Sequence, residues 1–440
     1  MNTIKRKSLN SNVDLINGPI FKSLIIFALP LFISNIFQQL YNTVDTMIVG
    51  NFLGDASLAA IGSCTSIYDL LVGFALGIGN GLAIVTARSY GSKDENLLKK
   101  SVASSLVIGI VVSISLTIIG LIFLNPLLHL LNTPAKIINE AYSYIFFIVL
   151  FIIVMFAYNL CAGLMRAIGN SVMPLVFLIV SSVLNIVLDL LFITQLHMGI
   201  QGAAVATVIS QGVSVILCII YMFKKTPLLL PKKEHFKYDQ ELYKELLGQG
   251  FSMGFMSCIV SAGSVILQYG INNLGYLIIA GHTAARKLYM FFNMPFTAMA
   301  LAISTFVSQN KGANQKDRIK KALRYAYIYD IVGAAIVTVL ILLFGSSLVK
   351  MISGSSQEVV LHNGTLYLTI VAPFYAILGI GQKLLPLVSS IIEFVGKIIF
   401  VFIFIPRFQY MAVIFCEPVI WCVMTIQLVY SFYHNAYIRN

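Results

Sequence analysis

The sequence predicts an all-α membrane protein of about twelve transmembrane helices, arranged as two pseudo-symmetric six-helix lobes. An apolar composition, a bias of positive charge toward alternate loops, and one internal repeat carry that expectation. Of 440 residues, 58% are hydrophobic and 10% charged, and mean hydropathy is +0.89. Ordinary soluble domains carry about 25% charged residues, so most of this surface cannot face water.

A helix needs about 20 apolar residues to cross the hydrocarbon core. Runs of that kind fall at 20–48, 57–85, 101–124, 137–161, 172–194 and 202–222, then at 245–270, 278–307, 322–344, 362–380, 384–405 and 411–432. With the N-terminus cytoplasmic, 23 of the 29 Lys and Arg residues lie on the cytoplasmic side. Only Lys136, Lys350 and Arg407 lie opposite, and Arg286, Lys287 and Lys397 fall within spans. The positive-inside rule therefore places both termini in the cytoplasm of a multi-pass plasma-membrane protein. The expected order is a tail at 1–19, a first lobe at 20–222, a basic cytoplasmic linker at 223–244, a second lobe at 245–432, and a tail at 433–440.

The net charge of +12 is spread over these loops, which argues against a nucleic-acid partner and for the bilayer. The N-terminal stretch lacks a short apolar core with a small-residue cleavage site, so no signal peptide is expected. All six cysteines sit in apolar runs without metal-ligand spacing and read as small buried hydrophobes.

The repeat makes the lobes. Residues 87–100 recur as residues 308–321, pairing Gly91 with Gly312 at an offset of 221. Asn51 and Gly54 pair with Asn272 and Gly275 at the same offset. Six spans repeated with the same starting side give two parallel lobes, an architecture of transporters that rock about a central cavity. Later, Gly169 to Pro174 pairs with Gly381 to Pro386 at an offset of 212, so the second half is nine residues shorter near its fourth span. A short tenth helix with a tight following loop is expected there.

Acidic residues in spans are costly and functional by default. Asp45, Asp69, Asp189, Asp330, Glu393 and Glu417 are of this kind. In the first span Asn35, Gln38, Asn42 and Asp45, spaced 3, 4 and 3, share one face. In the fifth, Ser182, Asn185 and Asp189 do so; in the sixth, Thr207 and Gln211. Lipid cannot satisfy three such stripes, so they converge inward. Two carboxyls with amide and hydroxyl oxygens suit a shared proton or a sodium ion, or else a hydrogen-bond network that only holds the lobe together. Pro30 removes a backbone hydrogen bond in the first span and makes a candidate hinge, or a static kink.

Other polar residues carry weaker expectations. Asp69 and Asp330 are placed near span ends, Glu393 and Lys397 are spaced for an i,i+4 ion pair, and Glu417 before Pro418 marks a helix break. Arg286 and Lys287 fit packing as well as substrate contact. Gly250-Phe-Ser-Met-Gly254 matches a hydrolase elbow, but it lies in a helical run and reads as helix packing, as does the Gly73, Gly77, Gly81 ridge. Met253, Met256, Met290, Phe291, Phe292 and Met294 form a candidate flexible substrate wall, or ordinary packing. An intramembrane enzyme would want a His/Asp/Glu constellation, yet only His282 lies clearly in a span, so the chain is read as no enzyme and as needing no cofactor.

Gln38 to Gly50, Gly163-Leu-Met-Arg-Ala-Ile-Gly169, Met294-Pro-Phe296 and Phe306-Val-Ser-Gln-Asn-Lys-Gly-Ala313 resemble the multidrug and toxic compound extrusion (MATE) family, over essentially the whole chain. Cys416-Glu-Pro-Val-Ile-Trp421 looks like a bacterial subset of it. The resemblance implies a monomeric secondary antiporter, exporting amphipathic organic cations against H+ or Na+ by alternating access. In the DinF-like branch the cation-site pattern falls on Asp45, Asn185, Asp189 and Thr207, with Asn35, Gln38, Asn42 and Gln211 lining the pore. The carboxylates that the NorM-like branch adds in the second lobe have no counterpart here. A lipid or oligosaccharide-lipid flippase of related fold is the alternative, although it would want a strongly cationic cavity.

Overall fold

The computed structural model describes residues 12–131, 133–377 and 386–434, and every regular element among them is helical. The chain runs through α1 (Ile20–Leu53), α2 (Asp55–Gly91), α3 (Glu95–Leu130), α4 (Ile138–Leu150), α5 (Ile152–Ala167), α6 (Val172–Leu190) and α7 (Ile200–Lys225). It continues through α8 (Gln240–Asn272), α9 (Tyr276–Gly312), α10 (Lys316–Ser353), α11 (Glu358–Val371), α12 (Pro386–Ile399) and α13 (Tyr410–Tyr433). Among the described residues eleven helices are long and apolar enough to cross a membrane, and the bent pair α4 and α5 makes a twelfth span. That pair meets at 49° although no proline or glycine stands at the break. Thr117 of α3 donates to the Val149 carbonyl at 3.2 Å, and a side chain intruding on the helical ladder is a recognised cause of such a bend.

The chain divides into two compact units. The first comprises the chain up to Thr65, Gly79–Gly250 and Ser304–Ile319; the second comprises Ser66–Ile78, Phe251–Ile303 and the chain from Lys320. Within the second unit an aromatic stack forms the centre of the core: Tyr375 lies between Tyr289 and Phe296 with ring centroids 5.6 Å from each, and Trp421 stacks on Tyr289. The outer faces of α3 and α10 are apolar and exposed, as hydrocarbon requires, at Ile110, Ile114, Ile118, Ile336 and Leu343.

Several sequence expectations change here. Asp69 lies in the interior of α2 rather than near a span end, and Asp330 lies deep in α10, fully buried. α10 extends six residues ahead of its apolar run and nine beyond it, which moved its apparent ends inward, whereas Asp69 already stood mid-run. α13 runs unbroken through Pro418, so Glu417 marks no break. The glycine ridge uses two of its three members: Gly77 and Gly81 of α2 face Gly254 and Gly250 of α8, where an added Cβ would stand 2.7 and 2.6 Å from the opposing Cα, while Gly73 meets nothing. The shortfall near the tenth span falls on 378–385, outside the described residues; the span described before it runs Glu358–Ile377.

The repeat-related segments are structural. Gln309 Nε2 donates to the Ala167 carbonyl at 2.7 Å, and Asn310 Nδ2 to that of Leu15 at 3.0 Å. Arg318 holds the carbonyls of Leu15 and Gly18 at 3.2 and 2.7 Å, while Val13 N–H donates to Gly169. Partial burial would raise the carboxyl pKa of Asp14 in this segment, but the Asn17 and Ile16 N–H groups and Arg318 more than offset it and hold it below the ordinary value. Its stabilising effect is therefore complete at neutral pH and fades as pH falls through the depressed value. Gly91 and Gly312, in register in the repeat, meet here: a Cβ on Gly91 would fall on the Gln309 backbone, and one on Gly312 on that of Arg88 and Ser92. Gly91→Ala and Gly312→Ala should each cost about 1–3 kcal/mol through overpacking, read as an earlier thermal unfolding of the detergent-purified protein, while Gly73→Ala should be silent.

Candidate functional site

The first unit gathers its polar stripes at one place because α6 packs against both α1 and α7. Asp45 of α1 is 8% exposed and Asp189 of α6 is 0% exposed, and their carboxyl groups lie close to each other where the two helices pack. Asn185 is fully buried one turn before Asp189. In one setting its amide donates to Thr207 Oγ1 at 3.4 Å; in the other, which satisfies both ends, it donates to Asp189 Oδ2 at 3.0 Å and accepts from Thr207 N–H at 3.3 Å. Asp45 Oδ1 and Asp189 Oδ1 are buried with no hydrogen-bond partner among the described residues.

Tyr41 belongs to this site although sequence reasoning missed it. Its hydroxyl lies 3.2 Å from Thr207 Oγ1. The signal was present, since Tyr41 precedes Asp45 by one turn and shares its face, but a tyrosine in an apolar run reads as core. Ser182, by contrast, is not aimed at the site: its hydroxyl bonds the Leu178 carbonyl of its own helix. Gln38 and Asn42 are exposed, Asn35 is half-buried, and Gln211 is half-buried with Oε1 unsatisfied among the described residues. Pro30 lies in a continuous α1, where Ser34 Oγ bonds its carbonyl at 2.8 Å.

Beyond the carboxyl pair the side chains turn apolar. Ile48, Val49, Ile193 and Ala203, with Val44, Leu53 and Ile186, form an apolar cluster on that side. A π turn, Leu191–Gln195, starts two residues after Asp189. Phe400–Phe404 repeats it in the second half at an offset of 209, with Ile398 where the first half has Asp189. The backbone is repeated and the chemistry is not.

The second unit holds a different constellation. Arg286 Nη1 donates to both oxygens of Glu417 at 2.8 and 2.9 Å, Tyr367 donates to Glu417 Oε2 at 2.9 Å, and the Arg286 guanidinium lies 4.6 Å from the Tyr289 ring centroid. His282 contacts the Tyr410 hydroxyl at 3.3 Å beside it. The i,i+4 pair forms, Lys397 Nζ to Glu393 Oε1 at 2.6 Å, with Lys397 2% exposed. Lys287 is exposed. Of the candidate wall, Met290 and Phe291 are exposed, Met253, Met256 and Phe292 half-buried, and Met294 buried, so these side chains present no uniform face.

Comparison with known proteins supplies the family. The MatE family profile matches residues 30–191 and 253–407. The chain belongs to the MATE family. It is a multi-pass membrane transporter and not an enzyme. The chain is 29% identical over 361 residues to "Probable multidrug resistance protein YoeA" of Bacillus subtilis (strain 168), covering 80% of this chain and 77% of that one. It is 27% identical over 370 residues to "Probable multidrug resistance protein YpnP" of the same organism, covering 84% and 82%. Among solved structures, "Outward-facing conformation of a multidrug resistance MATE family transporter of the MOP superfamily" superposes with a TM-score of 0.85 at 22% identity, over 95% of this chain and 96% of that one. "Crystal structure of MATE in the bent conformation" does so at 0.85 and 21%, over 96% and 98%. The two-lobe MATE fold is thus the fold of this chain.

The second constellation yields a stability prediction. Glu417→Gln should leave Arg286 uncompensated and destabilise the protein by roughly 3 kcal/mol, the lower end expected for breaking a buried pair. The double variant Arg286→Met with Glu417→Leu should recover most of that loss in the same thermal-unfolding assay.

Proposed function

We propose that this transporter is a secondary active antiporter that exports amphipathic, cationic organic compounds in exchange for H+ or Na+ by alternating access. The observation that carries the reading is the juxtaposition of two buried acids, Asp45 and Asp189, where α1 packs on α6, each with an oxygen that has no hydrogen-bond partner among the described residues. With a proton the pair bonds; without it two adjacent negative charges repel in a medium of low dielectric. Occupancy by one small cation therefore biases how closely α1 and α6 approach. The unsatisfied oxygens of the two acids, with Asn185, Thr207 and Tyr41, form an oxygen set that a sodium ion would contest with the proton. Asn35, Gln38, Asn42 and Gln211 extend the polar path from this site, and Pro30 is the point at which α1 yields.

The names of the relatives point to multidrug export, and family membership brings that reading to this chain. We assign residues 20–222 to the first lobe, 223–244 to the linker and 245–432 to the second lobe, with 1–19 and 433–440 cytoplasmic by the charge bias. The flippase alternative is not favoured. Among the described residues Arg286 and Lys397 are each neutralised by a glutamate, which argues against a strongly cationic cavity for a phosphate headgroup.

The test is efflux of a cationic dye from proteoliposomes under imposed proton or sodium gradients. Wild type should follow one gradient, which names the ion. Asp45→Asn and Asp189→Asn should reduce gradient-driven efflux to background, while Tyr41→Phe and Asn185→Ala should weaken it by shifting the ion dependence. Efflux that both asparagine variants retain at the wild-type rate would sink the assignment of the site.

A further inference from the structure

A cavity of about 390 Å³ opens in the first unit, away from the carboxyl pair, and transport as described makes no use of it. Its walls are Leu106 and Gly109 of α3, Phe156 and Ala157 of α5, and Val215 and Ile219 of α7. Leu229, Leu230 and Pro231, in the linker that folds back against α3 after α7, close one end. Every lining side chain is apolar, Cys161 being the one that carries a sulfur–hydrogen group. The flanking residues Ile110, Ile153 and Phe223 are exposed, so the cavity is a groove open on the lipid-facing side of the helices.

Length decides what fits. The groove runs from Met222 to Val215 on α7 and from Val102 to Ile110 on α3. At 1.5 Å per residue that is roughly 10–12 Å. Such a span lies within a single leaflet, roughly 15 Å of hydrocarbon, and is too short to seat a crossing helix. The lining ends in sequence at Phe223 and at Pro231, and the next residues are Lys224-Lys225 and Lys232-Lys233, all exposed. Among the described residues none of these four lysines is in an ion pair, whereas nearby Lys99 and Lys100 are taken by Glu95 and Asp239. Phe236 and Tyr238, exposed on the same linker, sit where aromatic residues mark the headgroup level.

We propose that this groove is a binding site for an anionic phospholipid, one acyl chain lying between α3, α5 and α7 and the phosphate meeting the lysines that flank the linker. The occupant is a lipid of the leaflet on the linker side, and its negative headgroup complements an exposed cationic rim in which only Lys232 lies near an acid, Glu95, itself bound by Lys99. The site stands apart from the carboxyl pair, and its occupancy can be read without transport.

The experiment is a thermal-unfolding titration of the full-length protein in neutral detergent with phosphatidylglycerol, phosphatidylcholine or glycerol phosphate. Native mass spectrometry would count bound lipid in parallel. Phosphatidylglycerol should bind at least ten-fold tighter than phosphatidylcholine and raise the unfolding temperature, while glycerol phosphate should do neither. The surface variant with Lys224, Lys225, Lys232 and Lys233 all changed to Gln should bind both lipids equally. Ala157→Phe or Val215→Phe, each filling the groove from a different helix, should remove both. Equal affinity of wild type for the two lipids would overturn the proposal. So would a shift reproduced by glycerol phosphate alone, or lipid retention unchanged in both groove-filling variants.

Discussion

Hydrocarbon neither donates nor accepts a hydrogen bond, and the placement of polar groups in this protein follows from that constraint. It makes the described spans helical, since a single helix satisfies its own backbone. It turns apolar residues outward on α3 and α10, the reverse of a soluble core. It also rewards ionisable residues in the spans that find a partner. Asp45 finds Asp189, Arg286 finds Glu417, and Lys397 finds Glu393.

The two units meet the constraint in opposite ways. In the second, Glu417 and Glu393 each face a base, and Tyr367 caps the Glu417 carboxylate, so these charges are neutralised within the protein. In the first, two acids face each other, and neutrality needs a cation from outside. The second unit's ion pairs are complete in themselves, whereas the first unit's acids keep unsatisfied oxygens. The matched π turns show that the backbone of both halves descends from one plan, on which only the first half carries the acid pair.

Much of this was legible in the sequence, because the membrane leaves few choices. Spans follow from apolar run length, and the face shared by Asn42 and Asp45 follows from helical spacing. Spacing along one helix cannot say which face meets which neighbour. The Arg286–Glu417 pair joins residues 131 positions apart, and no local pattern announced it. Tyr41 was hidden by its apolar ring, and Ser182 was overread because a hydroxyl in a helix can spend its hydrogen bond on its own backbone. The bend between α4 and α5 was invisible for a similar reason, as its cause is a threonine on α3.

The ties around Leu15 and Gly18 have a mechanical meaning. Asn310 and Arg318 fasten the chain just ahead of α1, and Gly169 fastens it again through Val13. α1 is therefore a beam clamped at its root and notched at Pro30, with Asp45 carried roughly 22 Å past the notch at 1.5 Å per residue. A deflection of ten degrees at the notch sweeps such an arm by about 4 Å at its tip, more than a hydrogen bond can span. Small angular play near the root is thus enough to make or break the carboxyl contact at the far end.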